Sequence, residues 1–86
     1  MGIRITFKLF ATLQDYLPEQ AKKTNALALE LPEGATVADV VARFALPEKL
    51  VHLVVIDGHF VPPDQRSHRV LRDGETLAVW PPVAGG

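Results

Sequence analysis

The 86-residue chain is long enough for one small core and too short for two. Hydrophobic residues make up 48%, which argues against disorder, and 9 Lys and Arg against 10 Asp and Glu leave a net charge of -1, with no basic excess for nucleic acid. The absence of cysteine excludes disulfides, thiolate metal sites, CxxC redox chemistry and a cysteine nucleophile, and no apolar run approaches a membrane span or a signal-peptide core. The expectation is a soluble cytoplasmic domain that binds neither nucleic acid nor membrane.

Ile3 to Phe10 alternate, with Ile3, Ile5, Phe7 and Leu9 on one face and Arg4, Thr6 and Lys8 on the other. That pattern predicts a strand with one buried face. The stretch Met1-Gly2-Ile3-Arg4-Ile5-Thr6 also fits the permissive myristoylation pattern, but a core strand explains it better. Leu13, Tyr16 and Leu17 follow at helical spacing and Pro18 stops them. Glu19 to Asn25 is polar and reads as a loop. Ala26 to Leu31 alternates again, with Leu27, Leu29 and Leu31 inward, and can pair with the first strand across this long connection.

Pro32-Glu33-Gly34 marks a turn. Thr36 reads as an N-cap with Asp39 as its capping-box partner, and Val37, Val40, Val41 and Phe44 form the apolar stripe of an amphipathic helix. Pro47 blocks its continuation. Leu50 to Ile56 is apolar apart from His52 and reads mostly as a strand, and Asp57-Gly58 signals a tight turn before His59, Phe60 and Val61. Pro62 to His68 is irregular, Asp73-Gly74 is a second turn, and Glu75 to Trp80 is the last strand, with Leu77 and Val79 inward and Thr76 and Ala78 outward. The order predicts an α+β fold, with a mixed sheet and one main helix packed on one face. Residues 1–82 form the domain, and 83–86 are expected to be a flexible tail.

Few residues offer chemistry of their own. His52, His59 and His68 fit no helical ligand pair and no HExxH motif, so no metal site is expected. The carboxylates sit mostly at turns and caps, and Ser67 lies in no nucleophile elbow. Two aromatics break the alternation: Phe10 and Trp80 fall on the polar phase at strand ends. Either a loop covers them, or they belong to an exposed patch for a partner, which Phe60 could join. Pro81-Pro82 limits the conformations of the exit from the last strand, and Gly85-Gly86 ends the sequence in a thin carboxylate-bearing segment.

The ending Trp80-Pro81-Pro82-Val83-Ala84-Gly85-Gly86 resembles the aromatic-Pro-Pro-Val-small-Gly-Gly tail of the ubiquitin-like sulfur carriers MoaD and ThiS, MoaD in particular. Leu71-Arg72-Asp73-Gly74-Glu75-Thr76-Leu77 is similar to the Leu-x-Asp-Gly-Asp segment entering their last strand, and Leu9-Phe10-Ala11-Thr12-Leu13 to the Phe-Ala-x-Leu segment of MoaD. MoaD has an acidic residue and Val after Asp-Gly where this chain has Glu75-Thr76-Leu77, and Val54 to Pro62 looks more like ThiS, so the resemblance speaks to family more than to pathway.

The resemblance implies a β-grasp fold and a mechanism. An E1-like adenylyltransferase of the MoeB or ThiF kind would use ATP and Mg to adenylate the Gly86 carboxylate, and a sulfur donor would convert it to a thiocarboxylate. Gly85 and Gly86 would be the reacting end. Phe10, Phe60, Trp80, Pro81, Pro82, Val83 and Ala84 would face partners. In the molybdopterin branch the large synthase subunit would take up the tail, with this chain as the small subunit and no complete active site or permanent cofactor of its own. Molybdenum- or tungsten-cofactor synthesis is the leading pathway. The alternatives are thiamine, cysteine or tRNA thiolation, a modifier joined to lysines through Gly86, and a β-grasp interaction module whose tail does no chemistry.

Overall fold

A computed structural model describes residues 2–82. The expected flexible tail, residues 83–86, lies outside them. Strand β1 (Gly2–Leu9) pairs antiparallel with β2 (Ala26–Pro32), with Ile5 opposite Leu29 and Phe7 opposite Leu27. Between them lie a 3-10 segment, Ala11–Tyr16, and a one-turn helix α1, Glu19–Lys22. Helix α2 (Val37–Arg43) follows, then β3 (Leu53–Ile56), β4 (His59–Phe60) and β5 (Thr76–Trp80). The sheet order is β2-β1-β5-β3-β4, and β5 lies parallel to β1 at the centre. A mixed five-stranded sheet with one main helix on one face is the β-grasp arrangement that the resemblance implies.

Alternation decides what the sheet buries. Ile5, Phe7 and Leu9 of β1, Leu29 and Leu31 of β2, Val54 and Ile56 of β3, and Leu77 and Val79 of β5 all point to the helix side and are buried. Val37 and Val40 of α2 close over them, and Phe7 meets Phe44 with ring centroids 4.8 Å apart. The capping box forms as read: Asp39 N–H donates to Thr36 Oγ1 (3.2 Å), and Thr36 N–H donates to Asp39 Oδ2 (2.9 Å). The helix stops at Arg43, before Pro47, because Ala45 takes a positive φ of 53°. Thr36→Ala is expected to cost about 1 kcal/mol of stability, read as a lower denaturation midpoint at unchanged slope.

Two connections differ from the sequence reading. Leu13, Tyr16 and Leu17 lie on a 3-10 segment rather than an α-helix, and it buries Leu13 with Leu17 as its C-cap while Tyr16 stays exposed. Ala11 enters it with φ 53°, and Pro18 follows it, so no room remains for a second α-helical turn. The polar stretch Glu19 to Asn25 contains α1, which tucks Ala21 into the core. The Asp57-Gly58 turn is as read. Both residues have positive φ (49° and 85°), the signature of a two-residue hairpin, and Asp57 Oδ1 accepts Thr76 N–H at 2.8 Å, tying the turn to β5.

The long stretch between β4 and β5 is irregular but tied down. Leu71 N–H donates to Ala35 O (2.8 Å), and Val37 and Ala38 at the start of α2 donate to Arg69 O and Arg66 O. The Arg66 fork donates to Val51 O (2.8 Å) and His52 O (2.9 Å). Burial lowers its pKa from the ordinary arginine value.

Candidate functional site

The face of the sheet away from α2 carries the residues that broke the alternation. The strand register defines its rungs. Trp80 lies opposite Leu53, and Lys8, Ala78, Val55 and Phe60 form the next rung across β1, β5, β3 and β4. Phe10 continues β1 one residue beyond the Leu9–Val79 pair, which brings it level with Trp80. The Phe10 and Trp80 rings stack almost parallel, 5° apart in plane, with centroids at 4.5 Å. Such a pair contributes about 0.5–1.5 kcal/mol beyond its buried area.

Phe10 and Trp80 are both half-buried, and their rings lie against one another. Phe60 is 57% exposed on its two-residue edge strand. Between these anchors, Leu53 and Val55 are half-buried and Ala78 is buried. The result is an apolar band from Phe10 to Phe60 on the face away from α2. Leu53, Val55 and Ala78 were not singled out in the sequence. Their membership follows from cross-strand register, which alternation within one strand does not contain.

The band ends where the tail begins. Phe10 N–H donates to Val79 O (3.2 Å), and His52 N–H donates to Trp80 O (3.1 Å), so the last turn of the pleat is held from both sides. Pro81 is buried and Pro82 exposed. Val83, Ala84, Gly85 and Gly86, the remaining expected partner-facing and reacting residues, lie outside the described residues. The structure thus brings together Phe10, Trp80 and Pro81 at the root of the tail and sets Phe60 two strands away on the same face.

Ionic groups lie mostly away from this band. Arg4 and Glu30 pair at 2.6 Å across β1 and β2, and the hydrogen bond with Glu30 raises the Arg4 pKa above its ordinary value. Both side chains are exposed, so the pair adds little to stability. Among the described residues no group of three His, Asp or Glu side chains is placed to hold a metal ion, and no helix is long and apolar enough to cross a membrane.

A family model described as the ThiS family matches residues 7–86. No curated protein matches the sequence significantly. Solved structures share the fold at low identity. The HVO 2177 protein of Haloferax volcanii superposes with a TM-score of 0.74 at 23% identity, covering 99% of this chain and 88% of its own. A putative molybdopterin converting factor, subunit 1, from Pyrococcus furiosus gives 0.64 at 24%, covering 94% and 99%. SAMP1 from Haloferax volcanii gives 0.66 at 23%, covering 96% and 99%.

Proposed function

The chain belongs to the ThiS family, and from that premise we propose that it is a cytoplasmic sulfur carrier whose Gly86 carboxylate is adenylated and then converted to a thiocarboxylate. A free carboxylate is a poor electrophile. An E1-like enzyme supplies Mg-ATP, the carboxylate displaces pyrophosphate, and hydrosulfide delivered by a sulfur donor attacks the carbonyl carbon of the resulting acyl adenylate, expelling AMP and leaving the thiocarboxylate. The carrier contributes the tethered carboxylate and a surface to be recognised by. Its lack of cysteine is compatible with that division of labour.

The observation that carries this reading is the Phe10–Trp80 stack at the root of the Trp80-to-Gly86 segment. It sets an apolar anchor immediately beside the reacting tail. Aromatic side chains in such positions supply much of the affinity of protein interfaces. Phe60 extends the same surface, and Pro81 and Pro82 lead from it toward Gly85 and Gly86. Sulfur delivery in molybdopterin synthesis is the favoured pathway. The Trp80-Pro81-Pro82 ending supports it, and so does the likeness to a putative molybdopterin converting factor subunit. Thiamine, cysteine or tRNA thiolation would use the same chemistry with another acceptor.

A second reading is favoured by the solved neighbours named small archaeal modifier proteins: Gly86 would be joined to lysines of target proteins. Intact-mass spectrometry separates the two. After incubation with an E1-like enzyme, ATP and a sulfur source, the carrier should gain the mass difference of sulfur for oxygen, localised to the C-terminal peptide. No gain with an enzyme shown to be active on its own carrier would sink the sulfur-carrier reading. Trp80→Ala should weaken binding to the activating enzyme about tenfold or more while the folded state persists. Titration calorimetry beside a thermal melt reads both, and a parallel collapse of fold and binding would count against a recognition role.

A further inference from the structure

Strand β5 hands over to the segment that leads to Gly86 at one peptide bond, Trp80–Pro81. Pro81 is buried, and its ring fixes φ and removes the N–H. Pro82 repeats both restrictions. With both φ angles set, the tilt of the Trp80–Pro81 plane decides how the chain leaves the sheet. The carbonyl of that plane is held by one group outside β5: Trp80 O accepts His52 N–H at 3.1 Å.

The donor belongs to a peptide group that Arg66 grips. His52 N–H and the Val51 carbonyl are the two ends of one peptide plane. Arg66 Nη1 donates to Val51 O at 2.8 Å, at the end opposite the Trp80 bond, and Arg66 Nη2 donates to His52 O at 2.9 Å. Val51 has φ -88° and ψ 80°, between the helical and extended ranges, so neither a helix nor a ladder dictates the tilt of this plane. Arg66 is itself anchored, because its carbonyl accepts Ala38 N–H at 3.0 Å from the first turn of α2. Its side chain is half-buried, pairs with no carboxylate among the described residues, and has a buried Nε without a partner. A partly desolvated cation of this kind is costly, and the two carbonyl bonds are what offsets the cost.

We propose that Arg66 is a positioning residue for the reacting end: it fixes the Val51–His52 peptide, whose N–H fixes the Trp80–Pro81 carbonyl and with it the direction in which the chain leaves toward Gly86. The chemical consequence rests on the sulfur-carrier reading, whereas the hydrogen-bonded relay stands without it. No bond of the relay involves the Phe10 and Trp80 rings. Docking by the aromatics and delivery of the carboxylate are therefore separable. Loss of Arg66 leaves the first and impairs the second, because adenylation depends on where the carboxylate arrives. Lysine keeps the charge at this position but lacks the fork that spans two carbonyls.

The test uses the full chain and three variants. Arg66→Met keeps the apolar stem and removes every donor, Arg66→Lys keeps the charge, and Thr36→Ala weakens the start of α2 without touching the relay. Amide hydrogen exchange on the free chain reads the relay itself. In Arg66→Met the exchange of His52 N–H should rise about tenfold more than that of Phe7 in the core, and in Thr36→Ala it should not. Steady-state pyrophosphate release with an E1-like enzyme, ATP and a sulfur source reads the consequence. Arg66→Met should lower kcat about tenfold at unchanged KM, Arg66→Lys should fall between it and wild type, and Thr36→Ala should match wild type. A folded Arg66→Met chain with unchanged His52 exchange would overturn the proposal. So would an unchanged kcat, a change in KM alone, or an equal loss in Thr36→Ala, which would make the effect one of stability. If Arg66→Met does not fold, the same criteria apply to Arg66→Lys. A wild-type chain that an active E1-like enzyme does not adenylate would end the sulfur-carrier reading instead, and His52 exchange would then decide the relay alone.

Discussion

A chain that ends at Gly85 is expected to fold normally and to accept no sulfur at all. The reason lies in where the core stops. Among the described residues every buried core side chain, from Ile5 to Val79, precedes Pro81, and the last described strand ends at Trp80. Removing Gly86 therefore deletes no described packing contact, and the melting temperature should not move. Activation depends instead on reach. One residue of extended chain spans about 3.3–3.6 Å, and adenylation demands that the carboxylate sit within bonding distance of the nucleotide phosphorus. A carboxylate withdrawn by one residue misses that position while the Phe10–Trp80 anchor stays docked. Intact-mass spectrometry should show no sulfur-for-oxygen gain, while calorimetry shows the truncated chain still binding the activating enzyme. A truncated carrier that gains sulfur at the normal rate would refute the mechanism. Loss of both binding and sulfur would instead place the recognition energy in the last residue rather than in the aromatic anchor.

The elements legible in the sequence are those whose pattern is local. Alternation gave β1 and β2, and the capping box and the Val37-Val40-Val41 stripe gave α2 with its start at the right residue. Asp57-Gly58 gave the hairpin, because only residues tolerant of positive φ fit both positions. The misses are segments where tertiary contacts decide. Glu19 to Lys22 is too short to show a period, and it is helical because Ala21 finds a place in the core. The same limit applies at Ala78. Alternation assigned it outward, and it does face away from α2, yet it is only 7% exposed. Its strand is the middle one of five, with Lys8 on one side and Val55 on the other. The candidate site repeats this division. Phe10 and Trp80 were visible as defects in alternation, but their stacking required the parallel register of β1 and β5. That Val70 and Arg72 line one concavity with Phe60 was not visible either, because they reach it only through the irregular return to β5.

Phe7→Ala is expected to remove about half of the domain's stability, whereas Phe60→Ala should leave it nearly unchanged. The two residues are the same amino acid on opposite faces of one sheet. Phe7 is fully buried on the central strand β1, between Leu27 of β2 and Leu77 of β5, with its ring against Phe44 beyond α2. Truncation there leaves a cavity that the rigid sheet does not collapse, at a cost of about 3–5 kcal/mol. A domain of this length has roughly 5–10 kcal/mol in total, so about half its stability goes. The thermal midpoint should fall by about 15–30 °C. Phe60 loses only a side chain already in contact with solvent over much of its surface, and its truncation should shift the midpoint by a few degrees at most. Partner binding should reverse the order of the two variants when measured below the melting point of each. Phe7→Ala, where still folded, presents an unaltered open face and should bind with normal affinity, while Phe60→Ala should bind more weakly. Equal losses of stability in the two variants would mean that the apolar band is part of the core rather than a surface for recognition.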